Sequence, residues 1–198
     1  MRENTVVTVQ ESNMRIIAGE FKGIQLRVGH GPFYRPTAQI VRGSIFDTIS
    51  PEIKGATFCD LFAGSGAVGI EALSRGAQKV TFVEQDRRVL RALRSNLSKC
   101  GIGRDRAEVK IGDVFRFINR ITKKGEFYDF IFADPPYTAN VAQKVLSAFE
   151  AAGKQVCETL IIEHGEPIYL SEDSCYELKQ TKRFGQIHVS YFSFKGGR

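Results

Sequence analysis

The sequence predicts an α/β fold: a mostly parallel sheet with helices on both faces and an antiparallel hairpin at one edge. Three observations carry this expectation. Short β-branched and aromatic runs alternate with stretches of helical period between residues 56 and 164, the order of a parallel sheet with crossover helices. Those runs are apolar nearly throughout, as strands covered on both faces must be. Beyond residue 175 the pattern becomes two alternating strands around Gly185-Gln186, which suits an edge hairpin.

Taken in order, RIIAGEFKGIQLRV (15–28) reads as a β-hairpin and 37–49, after Pro36, as a short helix. ATFCDLF (56–62) is a strand ending in a glycine turn, and a helix follows it through Arg75. KVTFVE (79–84) is the second strand of the parallel set. Asp86 is placed to cap a helix in which Val89, Leu93 and Leu97 share one face, and Gly101 to end it. AEVKI (107–111) alternates as a strand and 114–121 reads as a helix. FYDFIFA (127–133) is a strand, 141–152 a helix and TLIIEH (159–164) a further strand. CYELKQTKRF (175–184) and IHVSYFSF (187–194) form the terminal hairpin. The expected organisation is a polar leader over 1–13 (disordered, or an added strand), a hairpin extension over 14–36, and a main domain over 37–198.

At 198 residues the chain fits one ample domain, and 42% hydrophobic with 25% charged residues is ordinary for a globular protein. It has no apolar run near the roughly 20 residues a membrane span takes. With no signal-peptide order at the N-terminus either, a cytoplasmic location is expected. Cys59, Cys100, Cys157 and Cys175 form no C-x-x-C pair, and His30, His164 and His188 show no metal spacing. Reduced thiols and no metal are therefore expected. The net charge of +6 is concentrated. Arg15, Lys22, Arg27, Arg35 and Arg42 face only Glu20 between residues 14 and 42, and residues 86–106 and 176–198 are similarly basic. Such clusters suit a phosphate backbone, although solvated faces have the same composition.

Gly64-Ser65-Gly66-Ala67-Val68-Gly69 matches G-x-G-x-x-G between a strand and a helix, and Glu84 lies twenty residues past Gly64. Alone this is a dinucleotide fingerprint, so an NAD-dependent oxidoreductase is a fair reading. Three acids point elsewhere. Asp60 ends the first of the parallel strands, where a diphosphate is unwelcome but an ammonium or sulfonium is not. Asp113 follows Ile111-Gly112, placed to accept from an adenine amine. Asp134 follows the strand at 127–133, so consecutive strands each deliver an acid to the edge where open α/β sheets bind ligands. Each acid has a duller reading: a turn for Asp60, a helix cap for Glu84, an N-cap for Asp113. Together they resemble the S-adenosylmethionine site of the seven-strand, class I (Rossmann-like) methyltransferases, with Asp60, Phe62, Ala63, Gly64, Ser65, Gly66, Glu84, Gln85, Gly112, Asp113 and Val114 as the cofactor set.

Asp134-Pro135-Pro136-Tyr137 is a stiff turn. Proline restricts the residue before it to extended geometry, and neither proline has an N–H to close the turn internally. Asp134 and a neighbouring carbonyl can accept both hydrogens of a nucleobase amine and aim its lone pair, while Tyr137 stacks on the ring. Asp134, Pro135 and Tyr137 are the expected catalytic residues. The motif fits N-methylation of any planar amine, on DNA, RNA or a protein glutamine, and does not distinguish adenine, guanine or cytosine.

Met14-Arg15-Ile16-Ile17-Ala18-Gly19, Arg35-Pro36-Thr37, Asp60-Leu61-Phe62-Ala63-Gly64-Ser65-Gly66, Glu71-Ala72-Leu73-Ser74-Arg75-Gly76-Ala77 and Asp134-Pro135-Pro136-Tyr137 together resemble the RsmD-type methyltransferases. The resemblance spans nearly the whole chain from Met14. It implies a seven-stranded fold and methyl transfer to the exocyclic N2 of a guanine in 16S ribosomal RNA, within assembled or assembling 30S particles. It also implies that the 15–28 hairpin and the Arg-Pro-Thr loop engage substrate. Arg15, Lys22, Arg35, Thr37, Arg42 and Pro136, with Lys182 and Arg183, are the expected RNA contacts, and a monomer is expected. Two departures stand out: Gly43 occupies a position where the family usually has an acid, and residues 1–13 precede its usual start. A silent RNA-binding assembly factor with the same fold is a further reading, against which the intact Asp134-Pro135-Pro136-Tyr137 speaks.

Overall fold

The computed structural model describes residues 14–28, 39–137 and 140–196. Within them the chain runs α1 (Gln39–Ile49), β1 (Thr57–Leu61), α2 (Ala67–Ser74), β2 (Lys79–Glu84), α3 (Arg87–Lys99), β3 (Ala107–Ile111), α4 (Val114–Lys124), β4 (Tyr128–Ala133), α5 (Val141–Ala152), β5 (Cys157–His164), β6 (Tyr176–Phe184) and β7 (Ile187–Phe194). The strands form one seven-stranded sheet in the order β3-β2-β1-β4-β5-β7-β6. β1 to β5 are parallel, and β7 pairs antiparallel with both β5 and β6.

Strand alternation divides the core in two. Phe58, Val80, Phe82, Phe130 and Phe132 pack with α1, α2 and α3 on one face. Cys59, Leu61, Val83, Ile131, Leu160 and Ile162 pack with α4 and α5 on the other. Asp86 caps α3 by accepting from the Arg88 N–H at 2.8 Å, and its hydrogen bonds with the Arg88 guanidinium hold its carboxyl down at about 2. α4 runs past the expected Ile121 and ends at Gly125, whose left-handed φ of 65° closes the helix. The four cysteines are free, with Cys59, Cys100 and Cys157 buried. Burial pushes the Cys59 thiol well above its ordinary pKa, so it is an inert core group.

The chain reverses direction in the sheet at β1, which lies between β2 and β4. Leu61 is level with Val83 and with Ala133, and Glu84 with Ile111. The segments following β1, β2, β3 and β4 therefore emerge side by side on one edge, at a topological switch point.

Residues 14–28 form the expected hairpin in short form, with one antiparallel bridge, Arg15 with Gln25, and cross-arm backbone bonds such as Ile16 N–H to Ile24 O and Leu26 N–H to Met14 O. Several of their other backbone donors go to helices. Ile17 and Ala18 donate to the Glu71 carboxylate at 2.8 and 3.0 Å. Phe21 donates to Ser74 Oγ, and Arg27 to Asn96 Oδ1. Gly19 has φ 82°, and the Ser74 carbonyl oxygen would lie 1.8 Å from a Cβ placed there, so only glycine fits. The segment is fastened to α2 and α3. The leader 1–13 lies outside the described residues.

Candidate active site

The loop after β1 takes its shape from two acidic side chains. Phe62 and Gly64 adopt left-handed φ of 60° and 56°, which turns the chain sharply off the strand. Gly66, at φ 79°, brings its backbone so near α3 that a Cβ would meet Leu93 Cδ1 at 2.3 Å. Asp60 Oδ2 accepts from the Gly69 N–H at 2.9 Å, and Glu84 Oε2 accepts from the Gly64 N–H at 2.9 Å. These amides, in the loop and the first turn of α2, are donors of the kind a pyrophosphate uses in a dinucleotide site. Here the protein's own acids occupy them. The loop so held presents the half-buried Glu84 carboxylate, which suits hydroxyl donors better than a diphosphate.

The expected cofactor residues divide by exposure. Glu84 is half-buried at the end of β2, and its Oε1 also accepts the amides of Gln85 and Asp86, both at 2.8 Å. Gln85 is exposed, and Gly112 donates to the Glu84 carbonyl at 3.0 Å. Asp113 caps α4, its Oδ1 accepting from Arg116 N–H at 2.9 Å, which is the duller role the sequence offered. Three side chains are turned inward. Asp60 is only 2% exposed and stands beneath the loop as its anchor. Burial pushes its carboxyl up to about 8, the Gly69 amide opposes this, and the nearby Glu84 charge adds to it. Ser65 is 2% exposed, its hydroxyl turned toward Met14 Sδ. Val114, the first residue of α4, is 4% exposed and packs in the core. Phe62 is half-buried against that same core, while Ala63 is buried with its amide on the Val83 carbonyl.

Asp134 follows β4 directly and is half-buried; Pro135 is buried, while Pro136 and Tyr137 are exposed. The Tyr137 hydroxyl donates to Glu163 Oε1 at 2.7 Å. Its ring also lies against Gly165, where a Cβ would sit 3.2 Å from Tyr137 Cδ1. Glu163 and His164 were not among the expected site residues. Their signal was in the sequence, since TLIIEH also delivers an acid to the end of a parallel strand.

Beyond Pro135 a cavity of about 440 Å³ opens between the proline turn, the start of α5, the residues after β5 and the β6–β7 turn. His164 is 4% exposed beside it. Its Nδ1 lies 2.7 Å from the Glu166 carbonyl, an acceptor only, so Nδ1 carries the proton. Nε2 lies 2.8 Å from Ser190 Oγ, and burial keeps the His164 pKa below its ordinary value.

The expected RNA contacts are unequal. Arg15 and Lys22 are exposed on the N-terminal segment. Arg183 is exposed on the β6–β7 hairpin and lines the cavity, as does Pro136. Arg35 and Thr37 lie outside the described residues. Arg42 is corrected: it is 1% exposed, donates to the Arg15 carbonyl and stands 3.6 Å from Glu71, so it is a structural cation. Lys182 is likewise engaged, donating to Thr48 Oγ1 at 2.6 Å to join β6 to α1. Among the described residues no cluster of potential metal ligands occurs, and no helix is long and apolar enough to cross a membrane.

A family model described as conserved hypothetical protein 95 matches residues 14–193. YlbH of Bacillus subtilis strain 168, named as an rRNA methyltransferase, is 33% identical over 188 residues, covering 92% of this chain and 100% of its own. The ribosomal RNA small subunit methyltransferase D of Escherichia coli K12 is 34% identical over 179 residues, covering 88% and 86%. The solved structure of the Escherichia coli methyltransferase YhhF aligns with a TM-score of 0.78 at 29% identity, over 94% of this chain and 100% of that one.

Proposed function

The chain belongs to the family described as conserved hypothetical protein 95, and from this premise we propose that it is a methyltransferase that modifies the exocyclic N2 of a guanine in 16S ribosomal RNA. Its cofactor is S-adenosylmethionine, and its substrate is the 30S particle or an assembly intermediate of it. The relative named for small-subunit rRNA methylation supports the RNA class. The guanine and the particle follow from the resemblance of the motifs. An RNA of the ribosome as substrate carries the cytoplasmic location with it.

The single observation that carries the reading is the position of Asp134-Pro135-Pro136-Tyr137. The turn leaves β4 next to the β1 loop, which the Glu84 carboxylate holds at Gly64. Glu84, the Gly64–Gly66 backbone and Asp113 would hold the cofactor, and Asp60 would fix the loop from below. When bound, S-adenosylmethionine supplies an electrophilic methyl group on a sulfonium. Asp134 and a carbonyl of the proline turn accept the two N–H bonds of the guanine amine, which draws its nitrogen toward a pyramidal shape. Alignment and preorganised electrostatics of this kind supply most of the rate. Tyr137, held at its hydroxyl by Glu163, stacks on the base. The base edges of duplex RNA are hidden, so the guanine must be extruded before it reaches Asp134. The exposed Arg15, Lys22 and Arg183 meet phosphates, which makes binding weaken steeply with salt.

The test is transfer of a radiolabelled methyl group to 30S subunits from cells lacking this activity, followed by mapping of the modified nucleotide. A label on guanine N2 of 16S RNA is the expected result. A label elsewhere keeps the reaction and changes the substrate. Calorimetry that finds NADH bound and S-adenosylhomocysteine not bound removes the reading altogether.

A further inference from the structure

We propose that the cavity beyond Pro135 is a second RNA subsite, which holds the base of a nucleotide flanking the methylated one. This rests on the methyl transfer proposed above, because the target base must be at Asp134 for its neighbour to lie here.

The cavity shares Pro135, Pro136 and Tyr137 with the acceptor turn, and its lining begins one residue past Asp134. A polynucleotide whose base reaches Asp134 therefore carries an adjoining residue across its mouth. Its volume of about 440 Å³ falls in the range of sites for small planar ligands. Arg183 and Glu166, both exposed, line it together. Their opposite charges make a poor hole for a bare phosphate and a good rim for the donor and acceptor edges of a base. A flat group is supplied by His188, which lines the cavity. Recognition of unpaired RNA uses such surfaces for stacking.

The His188 side is built in advance. His188 stacks on His164 with centroids 5.4 Å apart and planes 16° apart. His164 is itself fixed by the Glu166 carbonyl and by Ser190 Oγ, which in turn bonds Thr181 Oγ1 at 2.7 Å. A base would thus meet a ring already oriented, which lowers the ordering cost of binding. Extrusion of the target leaves its neighbours unstacked, and this cavity gives one of them a surface to stack on.

The experiment compares the wild type with His188→Ala, which removes the flat surface, and Ala142→Phe, which fills the cavity from α5. Undermethylated 30S particles are the substrate, and S-adenosylhomocysteine affinity and melting temperature serve as controls. Both variants should raise KM for the particle by about fivefold or more, the scale of one lost base stack. The kcat at saturating particle and the S-adenosylhomocysteine affinity should change little. Unchanged KM in a folded variant of either kind overturns the subsite. In parallel, wild-type protein is crosslinked to 30S particles by ultraviolet light and the peptides are mapped. Crosslinks in 164–168 or 183–188, weakened in His188→Ala, are expected. Active enzyme with crosslinks only elsewhere overturns the subsite and leaves the methyl-transfer reading standing. Crosslinks here without any methyl transfer overturn that reading and the flanking-base assignment that rests on it.

Discussion

The Gly64 amide donates to Glu84 Oε2 at 2.9 Å, so the end of β2 sets the shape of the loop that leaves β1. The same carboxylate accepts the amides of Gln85 and Asp86. It therefore joins loop, strand and the entry to α3, and it is also the group proposed above to hold the cofactor.

Glu84→Ala should weaken S-adenosylmethionine binding by about 1.5–3 kcal/mol, the scale of hydrogen bonds to a charged group. It should also lower the melting temperature, because the three amides lose their acceptor. A calorimetric dissociation constant that does not move would remove Glu84 from the cofactor.

Asp134→Ala should lower methyl transfer by about 10²–10³-fold, the scale of one lost preorganised hydrogen-bonding group. S-adenosylhomocysteine affinity should stay near that of the wild type. Loss of that affinity would place Asp134 in the cofactor site rather than at the acceptor.

Asp60 gives a pH signature of definite sign. Its carboxyl is raised from 3.8 to about 8 in the fold, first by burial, with the Gly69 amide opposing and Glu84 adding. Between those values the folded chain binds the proton and the unfolded chain has released it. This contribution to stability is fully present below the lower value and is lost as pH rises through the upper one. Asp60→Asn removes the titration, so the urea midpoint of that variant should depend less on pH across this window. Parallel pH profiles for the wild type and the Asp60→Asn variant would contradict the assignment.

Glu71→Ala should be severe, since the carboxylate is wholly buried beside Arg42, and Arg75 donates to it at 2.8 Å. Breaking one partner out of a buried ionic cluster costs about 3–5 kcal/mol. The Ile17 and Ala18 amides lose their acceptor at the same time. Urea unfolding measures the sum, and a loss below about 1 kcal/mol, far under that scale, would show that the cluster is relieved by rearrangement.

The parallel strands were legible because strands buried on both faces need apolar residues at nearly every position, and KVTFVE and FYDFIFA have them. The edge hairpin was legible from its alternation. Arg42 was not, because an arginine inside a short helix has the composition of a solvated face, and its partner Glu71 is brought to it only by packing. The pairing within residues 15–28 was legible, but the attachment of several of their donors to Glu71, Ser74 and Asn96 was not, because no local pattern announces it. Asp60, Ser65 and Val114 lie at the expected loop ends, yet strand and helix periodicity turns their side chains inward. Glu163 could have been found by extending to TLIIEH the rule already applied to the other parallel strands.

The attachment of residues 14–28 has a consequence for biosynthesis. Their acceptors, Glu71, Ser74 and Asn96, are made later. This stretch leaves the translating ribosome well before the residues that receive it. It must wait, unsettled, until the first two crossover units have emerged, and its docking is then a late event in the maturation of the nascent chain.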